Sequence, residues 1–146
     1  MEVEVKIEEK YEKPKIVIYT NKLDTKISDL IENISNLEQK KLKMYKDEKM
    51  YIFRQEDIED IYSEEGKVYA RVENEIYVLK NRLYELETIL DKKMFLRISN
   101  SEIINFNKVK NIDLKMLGTI ALNFKSGNKS YASRRYIPKI KEFLEI

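Results

Sequence analysis

The chain has 146 residues, 42% of them hydrophobic and 37% charged, which fits one soluble globular domain with a short extension. That balance is too apolar for a disordered chain, and the longest unbroken apolar runs, Ile16–Tyr19 among them, are far too short to cross a bilayer. There is no cysteine and no histidine, so disulfide frameworks, thiolate nucleophiles and the commonest general base and metal ligand are all excluded.

The start, Met1-Glu2-Val3-Glu4-Val5-Lys6, alternates charge with Val and does not read as a signal peptide. With the lack of cysteine, this gives a cytoplasmic expectation. Charge is unevenly distributed. Up to Glu65 there are 12 Lys/Arg against 17 Asp/Glu, and from Gly66 onward 16 against 9. A basic rear half is the footprint that polyanions favour.

Val3, Val5 and Ile7 alternate with charged residues, which predicts a half-buried strand, and Lys15–Thr20 predicts a second, more buried one. Asn21 reads as a helix cap, with Asp24 in the first turn. Leu23, Ile27, Leu30, Ile31, Ile34 and Leu37 then form one apolar helical stripe. Residues 1–43 therefore read as a β-β-α extension.

From Lys41 the apolar period becomes two. Leu42–Tyr45 and Met50–Arg54 predict a hairpin, and Ile58–Tyr62, Val68–Val72 and Ile76–Leu79 three more strands. Asn81 is read as the cap of a short helix with Leu83, Leu86, Ile89 and Leu90 on one face. Further strands are predicted at Phe95–Ile98, Ile103-Ile104, Val109–Asp113, Thr119–Phe124 and Lys129–Ala132, with a turn at Lys125–Asn128. Pro138 suits the first turn of a final helix. The fold class is mainly β with α elements.

Catalytic signatures are missing. There is no P-loop, nucleophile elbow or Gly-x-Gly-x-x-Gly loop. The densest carboxylate group, Glu56-Asp57 with Glu59-Asp60, reads as a solvated strand edge or turn in preference to a hydrolase pair or Mg²⁺ site. No enzyme activity, metal or other cofactor is expected.

Three strings carry more information together. The first is Gln55-Glu56-Asp57-Ile58-Glu59-Asp60-Ile61-Tyr62, followed by Gly66-Lys67-Val68-Tyr69. The second is Leu83-Tyr84-Glu85-Leu86-Glu87 with Phe95-Leu96-Arg97-Ile98-Ser99-Asn100-Ser101-Glu102-Ile103-Ile104-Asn105. The third is Lys125-Ser126-Gly127, then Tyr131-Ala132-Ser133-Arg134-Arg135-Tyr136. In order and spacing they resemble the LytTR family of bacterial DNA-binding domains, from about Met44 to the C-terminus.

The resemblance implies an elongated β-sandwich over residues 44–146, whose inter-strand loops enter successive major grooves of double-stranded DNA. It makes Asn100 of the middle loop a base or backbone contact and Arg135 of the C-terminal loop the base-reading arginine. Arg134 is assigned to phosphate or packing. Ser99 and Ser101 flank Asn100, and Arg97 lies nearby. The chemistry is apt, since Arg offers a fork to guanine and Asn can pair bidentately with adenine. Tyr131 and Tyr136 are read as packing residues.

Two departures from the family pattern stand out. Ser99-Asn100 replaces the usual His or basic residue. The first loop, Glu64–Lys67, carries two carboxylates that repel phosphate, so either it points away or Lys67 makes its contact. The resemblance to small stand-alone LytTR regulators implies control by a membrane-protein partner. The acidic extension is read as a dimerisation or docking module that makes a homodimer. The competing reading is an interaction module of the same fold that does not bind DNA. An RNA binder is disfavoured because the aromatic strands of an RNA-recognition motif are missing.

Overall fold

A computed structural model describes residues 1–35, 41–114 and 120–146. The chain divides into two compact units, Met1–Leu37 and Glu38–Ile146. Leu37 of the apolar stripe and Thr119 of the expected strand Thr119–Phe124 lie outside the described residues.

Among its described residues, the smaller unit has one regular element, helix α1 (Thr25–Ser35). Both strands expected before it are absent: among the described residues, nothing from Met1 to Asp24 pairs in a sheet. Val3, Val5 and Ile7 are exposed, as are Ile16, Val17 and Tyr19. Alternation makes a strand only where a neighbouring strand accepts its backbone groups and a core accepts its apolar face. Neither is supplied there. The helix cap is also Asp24 and not Asn21, since the Asp24 Oδ1 accepts the Ile27 N–H at 2.9 Å. Ile27, Leu30 and Ile34 are half-buried and Ile31 is exposed, so the stripe exists without being fully covered.

Among its described residues, the larger unit has ten strands and two α-helices. In chain order these are β1 (Leu42–Lys46), β2 (Lys49–Phe53), β3 (Ile58–Glu64), β4 (Lys67–Val72), β5 (Glu75–Leu79), α2 (Leu83–Ile89), β6 (Phe95–Ser99), β7 (Glu102–Asn105), β8 (Val109–Asp113), β9 (Ile120–Phe124), β10 (Lys129–Ala132) and α3 (Ile137–Leu144). The 43/44 boundary expected from the sequence falls inside β1, whose Leu42 and Met44 are both core residues. The α2 cap position is Arg82, one residue after the expected Asn81, and the Glu85 carboxylate reaches back to the Arg82 N–H. Pro138 lies in the first turn of α3, as expected.

Seven strands form one antiparallel sheet in the order β2-β1-β5-β4-β3-β7-β6, and three form a second in the order β10-β9-β8. Three hairpins in the first sheet close through two-residue turns, Asp47-Glu48, Glu65-Gly66 and Glu73-Asn74, with both central residues at positive φ. This is the turn that suits the right-handed twist of paired strands.

Two cores flank the larger sheet. On one face Ile58, Ile61, Ala70, Val72 and Leu79 pack with Leu83, Leu86 and Leu90 from α2 and just beyond it. On the other, Ile98 and Ile104 pack with Ile120, Leu122 and Phe124 of the smaller sheet and Ile140 of α3. The strand period of two explains how β7 serves both, with Ile103 in the first core and Ile104 in the second. Buried Gln55 clamps the end of α2, its Oε1 accepting the Asp91 N–H at 2.9 Å. No helix among the described residues is long and apolar enough to cross a membrane.

Candidate nucleic-acid interface

The β6–β7 hairpin turns through Ser99, Asn100 and Ser101, and this middle loop is fixed from three sides. Arg97, on β6, donates from Nε to the Ser99 carbonyl at 3.1 Å and from Nη2 to the Asn100 carbonyl at 2.6 Å. Its Nη1 is ion-paired with Glu87 of α2. All three guanidinium nitrogens are thus engaged inside the chain, and Arg97 acts as a brace of the loop. Ser99 Oγ accepts the Ser101 N–H at 3.2 Å, an in-loop bond typical of a short hydroxyl in a turn.

The C-terminal loop is fastened to the middle one. The Ser133 N–H donates to the Ile98 carbonyl at 3.0 Å. The Tyr136 hydroxyl donates to Asn100 Oδ1 at 2.8 Å. Tyr136, read from sequence as packing, is therefore the residue that orients the Asn100 amide. That bond leaves the Asn100 Nδ2 donors and the second Oδ1 lone pair for a ligand. Arg134 and Arg135 begin the 3-10 turn Arg134–Tyr136 that leads into α3, and both are exposed. Among the described residues the Arg135 guanidinium has no hydrogen-bond or ion-pair partner.

The first loop joins the same end, because the Ser63 N–H donates to the Ser101 carbonyl at 2.8 Å. Glu64 and Lys67 face each other across the Glu65-Gly66 turn, and all four residues are exposed. A shallow groove of about 310 Å³ runs between this loop, the start of α2 and the middle loop, lined by Glu64, Glu65, Arg82, Tyr84, Arg97 and Asn100. Glu64 and Glu65 share the first loop with Lys67, and Arg134 and Arg135 lead into α3, which carries Lys139.

Of the seven residues singled out from sequence, Ser99, Asn100 and Ser101 share the middle loop. Arg97 sits behind it, Arg134 and Arg135 lie in the loop tied to it, and Lys67 closes the first loop. Sequence reasoning missed Tyr136 as the partner of Asn100 and Glu87 as the partner of Arg97. For Glu87 the spacing within the second string contained no signal. For Tyr136 the signal was its place directly after the two arginines.

Comparison with known proteins bears on what this end binds. The LytTr DNA-binding domain family matches residues 48–145. The chain belongs to the LytTR family. As a LytTR member it is a DNA-binding regulator. It is 33% identical over 132 residues to proteins from Staphylococcus aureus strains NCTC 8325 and MRSA252, which are named as uncharacterized HTH-type transcriptional regulators. The alignment covers 90% of this chain and 89% of each relative. The solved LytTr DNA-binding domain of a Bacillus cereus protein superposes with a TM-score of 0.71 at 21% identity, covering 73% of this chain and 98% of that one, which shows the shared fold. This LytTR chain has no helix-turn-helix pair among its described residues, since strands separate each helix from the next.

Proposed function

We propose that this LytTR protein is a sequence-specific transcriptional regulator that reads the major groove of duplex DNA with its middle and C-terminal loops. The observation that carries the reading is the Tyr136–Asn100 hydrogen bond, which sets the amide of one loop beside the arginine pair of the next. In this reading Asn100 and Arg135 contact base edges, while Arg134, Ser99, Ser101 and Lys67 contact phosphates. Arg97 keeps the middle loop in shape from behind. The acidic first loop stands off from the phosphates except through Lys67. The Met1–Leu37 unit pairs two copies into a homodimer through the stripe on α1, which suits the reading of repeated half-sites. A membrane protein of the same cell is the regulatory partner, and the chain acts in the cytoplasm without catalysis or cofactor.

The test is fluorescence anisotropy on duplexes enriched from a randomised library, titrated at several salt concentrations. Selective binding that weakens with salt is expected. Asn100→Ala and Arg135→Ala should each cost about 1–3 kcal/mol and relax selectivity at one position. Lys67→Ala should weaken all sequences alike and flatten the salt dependence. Flat anisotropy at low salt with a folded protein would overturn the reading in favour of a module that binds only proteins.

A further inference from the structure

Behind the reading loops lies a buried polar cluster that the DNA contacts do not use. Asp60 of β3 is fully buried and takes both arms of the Arg71 guanidinium of β4, at 2.8 and 2.7 Å. Glu102 of β7 sits against the same carboxylate and accepts the Ser130 hydroxyl of β10. The strand register puts Glu102 opposite Tyr62 on β3 and Ser99 on β6. Its facing groups are therefore Asp60 and Tyr62 from β3, Arg71 from β4, Ser99 from β6 and Ser130 from β10.

The position of this cluster gives it a consequence for recognition. Glu102 is the first residue of β7, immediately after the middle loop, and Ser130 lies on β10, the strand that runs into Ser133, Arg134 and Arg135. Their bond joins the larger sheet to the smaller at the roots of both reading loops. One positive charge, Arg71, faces two carboxylates. Two anions there would repel at close range with little water to screen them.

We propose that Glu102, held between Asp60 and Ser130, is a positioning residue that keeps the middle and C-terminal loops in register for DNA. The inference rests on the DNA-reading role of those loops. Burial first, and then the proton shared with Asp60, push the Glu102 carboxyl up to about 8, against the smaller opposing pull of Ser130. The acid is thus protonated at neutral pH and loses its proton in mildly alkaline solution. The new anion is repelled by Asp60 and drawn towards water, which loosens the link at the loop roots. The sign follows: DNA binding is favoured below about pH 8 and weakens above it.

The experiment measures anisotropy on a duplex selected by the wild-type chain from a randomised library, at constant salt, from about pH 6 to about pH 9. The comparison with Glu102→Gln isolates the carboxyl, because the amide is a neutral isostere that does not titrate. Wild type should lose affinity above about pH 8, by up to about tenfold for each unit by which DNA raises the carboxyl's pKa.

Glu102→Gln should keep the affinity seen at low pH and show no such fall. Ser130→Ala, which removes one small hydroxyl, should weaken binding several-fold at every pH while the thermal transition remains cooperative. In the free protein the amide NMR signals of Asn100 and Tyr136 should follow a titration that Glu102→Gln abolishes. Equal pH profiles for wild type and Glu102→Gln, or still amide signals, would overturn this inference alone. No DNA binding by wild type at any pH would overturn the functional reading and this inference with it.

Discussion

At the residue scale, the acidic run Glu56-Asp57-Glu59-Asp60 shows what a sequence pattern conceals. Read as a solvated edge, it divides in the structure. Glu56 and Asp57 pair with Arg54 near the surface, while Glu59 and Asp60 are both buried. Strict alternation would send two neighbours to opposite faces. A register shift between Ile58 and Asp60 breaks that alternation, so that Asp60 meets Arg71 within the larger sheet while Glu59 accepts Ser126 Oγ and Asn128 Nδ2 from the β9–β10 turn. The bulge and the distant partners carry no local signature, so the pairing could not be read from the string itself. Arg71→Ala is expected to destabilise the protein by about 3–5 kcal/mol, because it leaves a fully buried Asp60 without its counter-charge beside Glu102. Equilibrium urea unfolding measures it. A loss under about 1 kcal/mol would mean that the pair behaves as a surface ion pair.

At the scale of elements, strands with an apolar period of two and a core to face were legible throughout the larger unit, as was the helix begun by Pro138. The same period misled at Val3–Ile7, where no neighbour strand is supplied. Period describes one face of a strand and says nothing of its partner. Turn chemistry was partly legible. Gly127 lies at φ +97° in the β9–β10 turn, and an added Cβ there would meet no atom within 4 Å. The objection to a side chain is therefore conformational and not steric crowding. Gly127→Ala is expected to cost about 1 kcal/mol or a little more in denaturant unfolding. It should also disturb the bonds from Ser126 and Asn128 to Glu59, the tie that holds this turn to the larger sheet. An unchanged midpoint would show that the turn relaxes to a conformation that alanine accepts.

For the whole molecule, the outline of the site was legible because the LytTR strings fall at loop positions. The bonds that link the loops were not, since Tyr136 to Asn100 and Ser133 to Ile98 cross more than thirty residues of chain. The two units also differ in what holds them. Among the described residues, both cores of the larger unit draw only on positions from Leu42 onward, whereas α1 has no buried residue. Removing residues 1–37 should therefore leave the unfolding free energy of the remainder, from urea titration, within about 0.5 kcal/mol of the full chain at the same monomer concentration, provided the dimer is dissociated in both. At higher concentration the two should diverge. Pairing through the α1 stripe would stabilise the full chain by mass action and leave the truncated one unaffected. Sedimentation equilibrium separates the cases: a dimer for the full chain and a monomer for the truncation is the expected result. Affinity for a single half-site should then be equal in the two, while affinity for a properly spaced pair of half-sites should be greater in the full chain alone, because the second contact becomes intramolecular. Equal oligomeric state and equal affinity on both duplexes would remove the dimerisation role from the N-terminal helix, and two dimers would place the pairing surface in the larger unit.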